Sequence, residues 1–181
     1  MLLRRLLASD EQAFLTAYKE WETPELAKRW FSCWEPPMSF GDLRTKLLND
    51  NKGINLPDGF VPSSTMYAFT SNAIHSDSVI VDSVIVGRLS IRHKLTDALQ
   101  IFGGHIGYAV APKYRHKGYA SSMLEQALPI CTWLGIKEAL FTIDKLNYAS
   151  IAVVKKCGGM LADEFWDASH HRTTQRWTIK T

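Results

Sequence analysis

From Tyr108 to Ala120 the chain reads Tyr-Ala-Val-Ala-Pro-Lys-Tyr-Arg-His-Lys-Gly-Tyr-Ala. An apolar, β-like run ends at Pro112, passes through Lys113, Arg115, His116 and Lys117, and turns at Gly118 into a helix. That chemistry suits a polyphosphate. The amides of a helix's first turn lack internal partners, and the helix dipole adds roughly half a positive charge there. A glycine lets a ligand approach the backbone, while Arg115 and Lys117 can neutralise phosphate charge. A solvated basic turn between a strand and a helix explains the same positions equally well when they are taken alone.

Other patterns point to no competing chemistry. A P-loop is ruled out because Lys117 precedes Gly118 and no second glycine stands five residues earlier. Ser121 and Ser122 follow the turn without a nucleophile-elbow pattern. His170-His171 has no cysteines or carboxylates at ligand spacing, so no metal is expected. Cys33, Cys131 and Cys157 cannot all pair and show no metal-ligand spacing, which points to a reducing, cytoplasmic setting. The opening Met-Leu-Leu-Arg-Arg-Leu-Leu is broken by two arginines and followed by Asp10-Glu11, so it is not read as a signal peptide. No stretch approaches the roughly 18 apolar residues of a membrane span.

The elements around the turn follow from periodicity. At 181 residues, 46% hydrophobic and 22% charged, one domain over 1–181 is expected. A net charge of +3 is too small for a nucleic-acid or membrane surface, whereas the local cluster fits an anionic small molecule. Ser9-Asp10 reads as the cap of a helix from Glu11 into the twenties. A second helix is expected near Pro24, carrying Trp30, Phe31 and Trp34 and stopped by Pro36-Pro37, and a third over 41–51. A loop fills 51–62, and strands follow at 65–70 and within 78–93, with a turn at 75–77 between them. After a turn or short helix at 94–100 come a strand over 104–111 and a helix over 118–134, which Pro129 should kink or divide. A strand at 138–143, a helix at 149–157 and strands at 160–166 and 173–179 complete an α/β (α+β) layout. Trp133, Trp166 and Trp177 read as core or sheet aromatics, and Trp21, Trp30 and Trp34 as helix packing or pocket walls.

Arg115-His116-Lys117-Gly118-Tyr119-Ala120 also resembles the Arg/Gln-x-x-Gly-x-Gly/Ala signature of the GNAT superfamily of acyl-coenzyme A-dependent N-acyltransferases. Gly103-Gly104-His105-Ile106-Gly107-Tyr108 resembles the strand before that signature. Asn147-Tyr148-Ala149-Ser150, followed by Lys155-Lys156-Cys157-Gly158-Gly159, resembles the superfamily's second block. The run from Arg92-His93 to the closing Gly-Gly resembles a bacterial subgroup of predicted acetyltransferases, over about Val84 to Met160.

The resemblance implies a mixed, mostly antiparallel central sheet flanked by helices and splayed between the strands near 104–111 and 138–143. The pantetheine arm of acetyl-coenzyme A would bond to the backbone of Tyr108, Ala109 and Val110 like an added strand. Its pyrophosphate would sit on the amides of His116, Lys117, Gly118, Tyr119 and Ala120, beside Arg115. Asn147 and Ser150 would lie near the arm, although a helix N-cap accounts for Asn147 equally well. The implied activity moves an acetyl group to a primary amine by direct attack in a ternary complex. The alternative is a non-catalytic acyl-coenzyme A-binding sensor or interaction module. An amine acceptor is the expected partner, with a homodimer as an option and neither nucleic acid nor membrane.

Acyl transfer needs a neutral amine. A lysine-like amine of pKa about 10.4 is only about 0.1% neutral near pH 7.4, a penalty of roughly 4 kcal/mol. His105 is the candidate base on its ordinary pKa and its place at the start of the cleft strand, against a packing role; His93 is the second. Glu138 and Asp144 only bound the neighbouring strand. Protonating the leaving thiolate saves less, about 1–2 kcal/mol. The position where many relatives place an acidic tyrosine is Val154 here. Tyr148, Ser150 or water are the substitutes named from the sequence, and a sharply raised turnover in a Val154→Tyr variant would argue that the native chain runs without an acid.

Overall fold

The computed structural model describes residues 1–21, 34, 36–71, 83–168 and 170–181. The helix expected near Pro24 and the turn at 75–77 lie outside them. Strands β1 (Leu2–Arg4), β2 (Ser63–Ser71), β3 (Ser83–Arg92) and β4 (Ile106–Val110) form one sheet in that order, each pair antiparallel. Strands β5 (Glu138–Asp144), β6 (Met160–Asp167) and β7 (Arg172–Lys180) form another, ordered β5-β7-β6. The α/β class and the splay hold. The splay goes further than expected, because β4 and β5 belong to separate sheets.

Strand alternation sends side chains to two faces. Tyr67, Phe69 and Ile85 meet α1 (Glu11–Lys19) and α2 (Phe40–Lys52). There Phe14 is ringed by Trp34, Phe40 and Tyr67 at centroid distances of 5.4, 5.3 and 5.9 Å. Each such aromatic pair adds about 0.5–1.5 kcal/mol beyond its buried area. On the opposite face Met66, Ala68, Val86, Leu89 and Ile91 meet Met123, Leu124, Ala127 and Cys131 of α4 (Tyr119–Trp133). Phe141, Ile143, Trp177 and Ile179 bring the second sheet into this same core, with Val154 of α5 (Tyr148–Lys156). The short α3 (Asp97–Ile101) is capped by the Thr96 hydroxyl, which accepts the Leu99 amide at 3.3 Å.

Several local expectations are corrected. Asp10 does begin α1, but its carboxylate does not cap; it takes two hydrogen bonds from Arg4, at 2.6 and 2.9 Å, and one from the Leu7 amide. The helix of α1 ends at Lys19. The cap of α2 is Ser39, with the αL residue Gly53 closing the other end. Pro129 does not divide α4. It lies on the exposed side, where water can serve the Glu125 carbonyl that proline leaves without a donor. Trp177 is buried as expected, but Trp133 and Trp166 are exposed at 82% and 63%, whereas Trp21 and Trp34 are core residues.

Candidate functional site

The basic turn is built by alternating backbone hands. After β4, a single 3-10 turn (Pro112–Tyr114) leads to His116 at φ +61° and Gly118 at φ +81°, and α4 begins at once. Such alternation points successive N–H groups into one concavity. Among the described residues none accepts a hydrogen bond from the amides of 116 to 120; the first bond of the helix runs from the Ser122 amide to the Gly118 carbonyl. A Cβ at Gly118 would meet nothing within 4 Å. The turn is thus a row of donors beside open space. Arg115 Nε reaches the Val110 carbonyl at 3.2 Å, and Lys113 Nζ pairs with Glu20 at 2.6 Å, so the turn is tied back to β4 and to the end of α1.

The strand leading to the turn has one free edge. The Arg92 amide donates to the His105 carbonyl, and the Ala111 amide to the Val86 carbonyl. By antiparallel alternation, Ala109 then spends its backbone groups on Arg88, opposite it in β3. Tyr108 and Val110 turn theirs away from β3, toward the gap in front of β5; the Val110 carbonyl takes the Arg115 Nε bond there, which leaves its amide and both Tyr108 groups on the edge. Of the three residues expected to hold the pantetheine arm by backbone contact, Ala109 therefore drops out, because its polar groups belong to the β3 ladder.

The gap closes at one corner. The His105 amide donates to the Leu140 carbonyl at 2.7 Å, and the Leu140 amide donates to His105 Nδ1 at 3.0 Å. Gly103 and Gly104 offer their carbonyls to Arg92 Nη1 at 3.1 and 2.9 Å, and the Gly103 amide donates to Thr142 Oγ1 at 2.7 Å. Burial, assisted by the Arg92 charge, lowers the His105 pKa from its ordinary 6.5. With Nδ1 accepting, the neutral ring carries its proton on Nε2 and has no lone pair left for an amine. Of the two roles expected for His105, base or packing at the strand start, the geometry supplies a structural bond. His93 lies on the other side of β3, its Nε2 2.9 Å from the Ser64 hydroxyl.

Across the gap, Asn147 caps α5 by accepting the Ser150 amide at 3.1 Å. The Tyr108 phenol bridges β4 to this helix start, donating to the Ser150 carbonyl at 3.2 Å, and burial pushes its pKa up to about 12. The sequence reading used Tyr108 for its backbone alone; nothing in a local pattern shows which way its side chain leaves the strand. Tyr148 is 71% exposed. Val154 is wholly buried, facing the core rather than the gap. A Val154→Tyr exchange should therefore not restore an acid: overpacking should cost about 1–3 kcal/mol, read as a lower denaturation midpoint with no gain in turnover. Cys131 is pushed up to about 11 by burial and Cys157 is also raised, so neither thiol is an activated nucleophile. Among the described residues no group of three or more His, Cys, Asp or Glu is placed to hold a metal, and no helix is long and apolar enough to cross a membrane.

Residues 1–160 match the family described as Acetyltransferase (GNAT) domain. The chain belongs to the GNAT acetyltransferase family. Its fold is shared by a GNAT acetyltransferase from Streptococcus pneumoniae, at 16% identity and a TM-score of 0.60, over 99% of this chain and 98% of that one. A ribosomal-protein-alanine N-acetyltransferase from Brucella melitensis matches at 14% identity and 0.60, over all of both chains. A mutant spermidine N-acetyltransferase from Vibrio cholerae matches at 16% and 0.57, over 99% and 95%. At these identities the likeness is one of fold. No curated protein sequence is significantly similar to this one.

Proposed function

We propose that this GNAT protein transfers an acetyl group from acetyl-coenzyme A to a primary amine within a ternary complex, in the cytoplasm. The observation that carries the reading is the row of amides at 116–120, from which no described residue accepts a hydrogen bond, beside the open space at Gly118 and continuous with the outer edge of β4. These fit the group: the amides and Arg115, His116 and Lys117 suit a pyrophosphate, and the Tyr108 and Val110 backbone suits an amide-bearing arm. Bound acetyl-coenzyme A supplies a thioester whose carbonyl is open to amine attack and whose thiolate departs. The Asn147 amide nitrogen stays available to the arm while its oxygen caps α5. Free Cys131 and Cys157 support a reducing compartment.

Thermal unfolding with and without acetyl-coenzyme A tests this. At about 100 times its dissociation constant a ligand adds about 2.7 kcal/mol, or about 5–10 °C for a chain of this size. No shift would sink the reading.

At the departing sulfur, Tyr108 is the hydrogen-bond donor this reading favours over the sequence candidates Tyr148 and Ser150, with the proton itself supplied by solvent. Its raised pKa, about 12, keeps the phenol protonated at neutral pH, so the O–H would turn from the Ser150 carbonyl to steady the thiolate without giving up its proton. Tyr108→Phe should lower kcat by about 5- to 30-fold with KM for acetyl-coenzyme A little changed, matching the roughly 1–2 kcal/mol at stake for a thiolate. A rate within about twofold of wild type would remove Tyr108 from the chemistry. With His105 engaged, deprotonation of the amine falls to solvent or to a desolvating acceptor pocket. The rival reading, a coenzyme A-binding module without turnover, draws on the buried Val154; thiol release in the presence of amines separates the two.

A further inference from the structure

We propose that His105 is a positioning residue whose neutral imidazole, by accepting the Leu140 amide, fixes the point where β4 and β5 part and so sets the aperture for the pantetheine arm. The inference rests on the acetyl-coenzyme A reading of the cleft. Between β4 and β5 no backbone ladder exists. Leu140 is bound on both of its backbone groups by one residue: its carbonyl by the His105 amide, and its amide by the His105 ring. The imidazole thus replaces the backbone carbonyl that a next strand residue would offer, and past it the strands have no further bond to each other.

The corner is braced from both sides. Arg92 of β3 holds the Gly103 and Gly104 carbonyls, and the Gly104 backbone lies against Leu140 so closely that a side chain would collide with it. A ring held this way cannot swing without releasing Leu140. Freed, the Leu140 amide would face the mouth of the cleft unpaired, and β5 would lose its registration against β4.

The charged surroundings favour the neutral ring. Arg92 is the cation against it; the loop residues Phe102, Gly103 and Gly104 and the β5 residues Leu140 and Thr142 carry no charge. Glu138, opposite Lys180, and Asp144 stand at the two ends of β5, and His170, held by Asp167, packs 5.9 Å from the Phe102 ring. A ring whose folded pKa is depressed contributes fully above the unfolded value of about 6.5. That contribution is lost as pH falls from there toward the folded value.

Calorimetric titration of the full chain tests the proposal. Wild type, His105→Ala and His105→Asn are each titrated with acetyl-coenzyme A and with the pyrophosphate-bearing nucleotide half of coenzyme A alone. Because the nucleotide half would rest on the turn and leave the gap empty, His105→Ala should weaken acetyl-coenzyme A by about tenfold and leave the nucleotide half unchanged. Asparagine, whose side-chain oxygen can accept the Leu140 amide, should restore most of the loss. Wild-type affinity for acetyl-coenzyme A should also fall below pH 6.5, and the asparagine variant should not follow it. Wild-type affinity in His105→Ala, or equal losses in both variants, would overturn the proposal. Should a variant fail to fold, nitrogen NMR of the wild-type ring decides: a proton on Nδ1 rather than Nε2 overturns it. Failure of the wild type to bind either ligand would instead bring down the acetyl-coenzyme A reading itself.

Discussion

Gly118→Trp is expected to abolish the acetyl-coenzyme A-induced rise in melting temperature while the protein stays folded. The argument has two parts. In the free protein a Cβ at 118 meets nothing within 4 Å, so the cost set by the backbone is the left-handed φ of +81°, on the order of 1–2 kcal/mol for a non-glycine residue. In the complex the same space is where phosphates would reach the amides, and an indole there leaves no approach. The wild-type shift of about 5–10 °C should fall to zero, against a lower but cooperative unfolding transition without ligand. An undiminished shift in the variant would mean that the ligand binds elsewhere on the chain.

The largest loss of stability should come from Gly104→Ala, a change of one methyl group. Gly104 has φ +61°, and a Cβ there would stand 2.9 Å from the Leu140 carbonyl carbon and nearer still to its oxygen. The obstruction is backbone, which cannot rotate aside as a side chain can. Left-handed strain of about 1–2 kcal/mol and overpacking of about 1–3 kcal/mol together predict a loss of about 2–5 kcal/mol. Chemical denaturation measures it through the midpoint. Because the methyl wedges β4 from β5, acetyl-coenzyme A affinity should fall as well. A midpoint within about 0.5 kcal/mol of wild type would show that the corner yields easily.

Elements with strong local punctuation were legible in the sequence. The turn from Pro112 to Gly118 and the start of α4 stand where proline, glycine and helical spacing put them, and α5 begins at the Asn147 cap. Strand β1, three residues long, was missed because so short a segment cannot display alternation; only its pairing with β2 defines it. Tertiary facts were beyond reach for the same reason. A histidine at a strand start reads as a base or a packing residue until the Leu140 amide is seen at its Nδ1. Val154 reads as a missing tyrosine until its burial is seen, and Trp133 reads as core although it lies on the outer side of α4. The resemblance supplied the cleft, but the division of β4 backbone groups between β3 and the gap needed the register itself.

The order of strands in the second sheet governs how the cleft can come into being. Strand β7 follows both β5 and β6 along the chain yet lies between them. Until residues 172–180 are available, β5 has no neighbour in its own sheet and β6 has none at all. A nascent chain emerging from the ribosome can therefore assemble the first sheet and the basic turn early, from contacts already synthesised. The opposite wall of the cleft must wait for the final strand. Ala139, Phe141 and Ile143 of β5, which the finished core buries, lack the cover of Trp177 and Ile179 for that interval, and this is the stage at which the protein depends most on being shielded from aggregation.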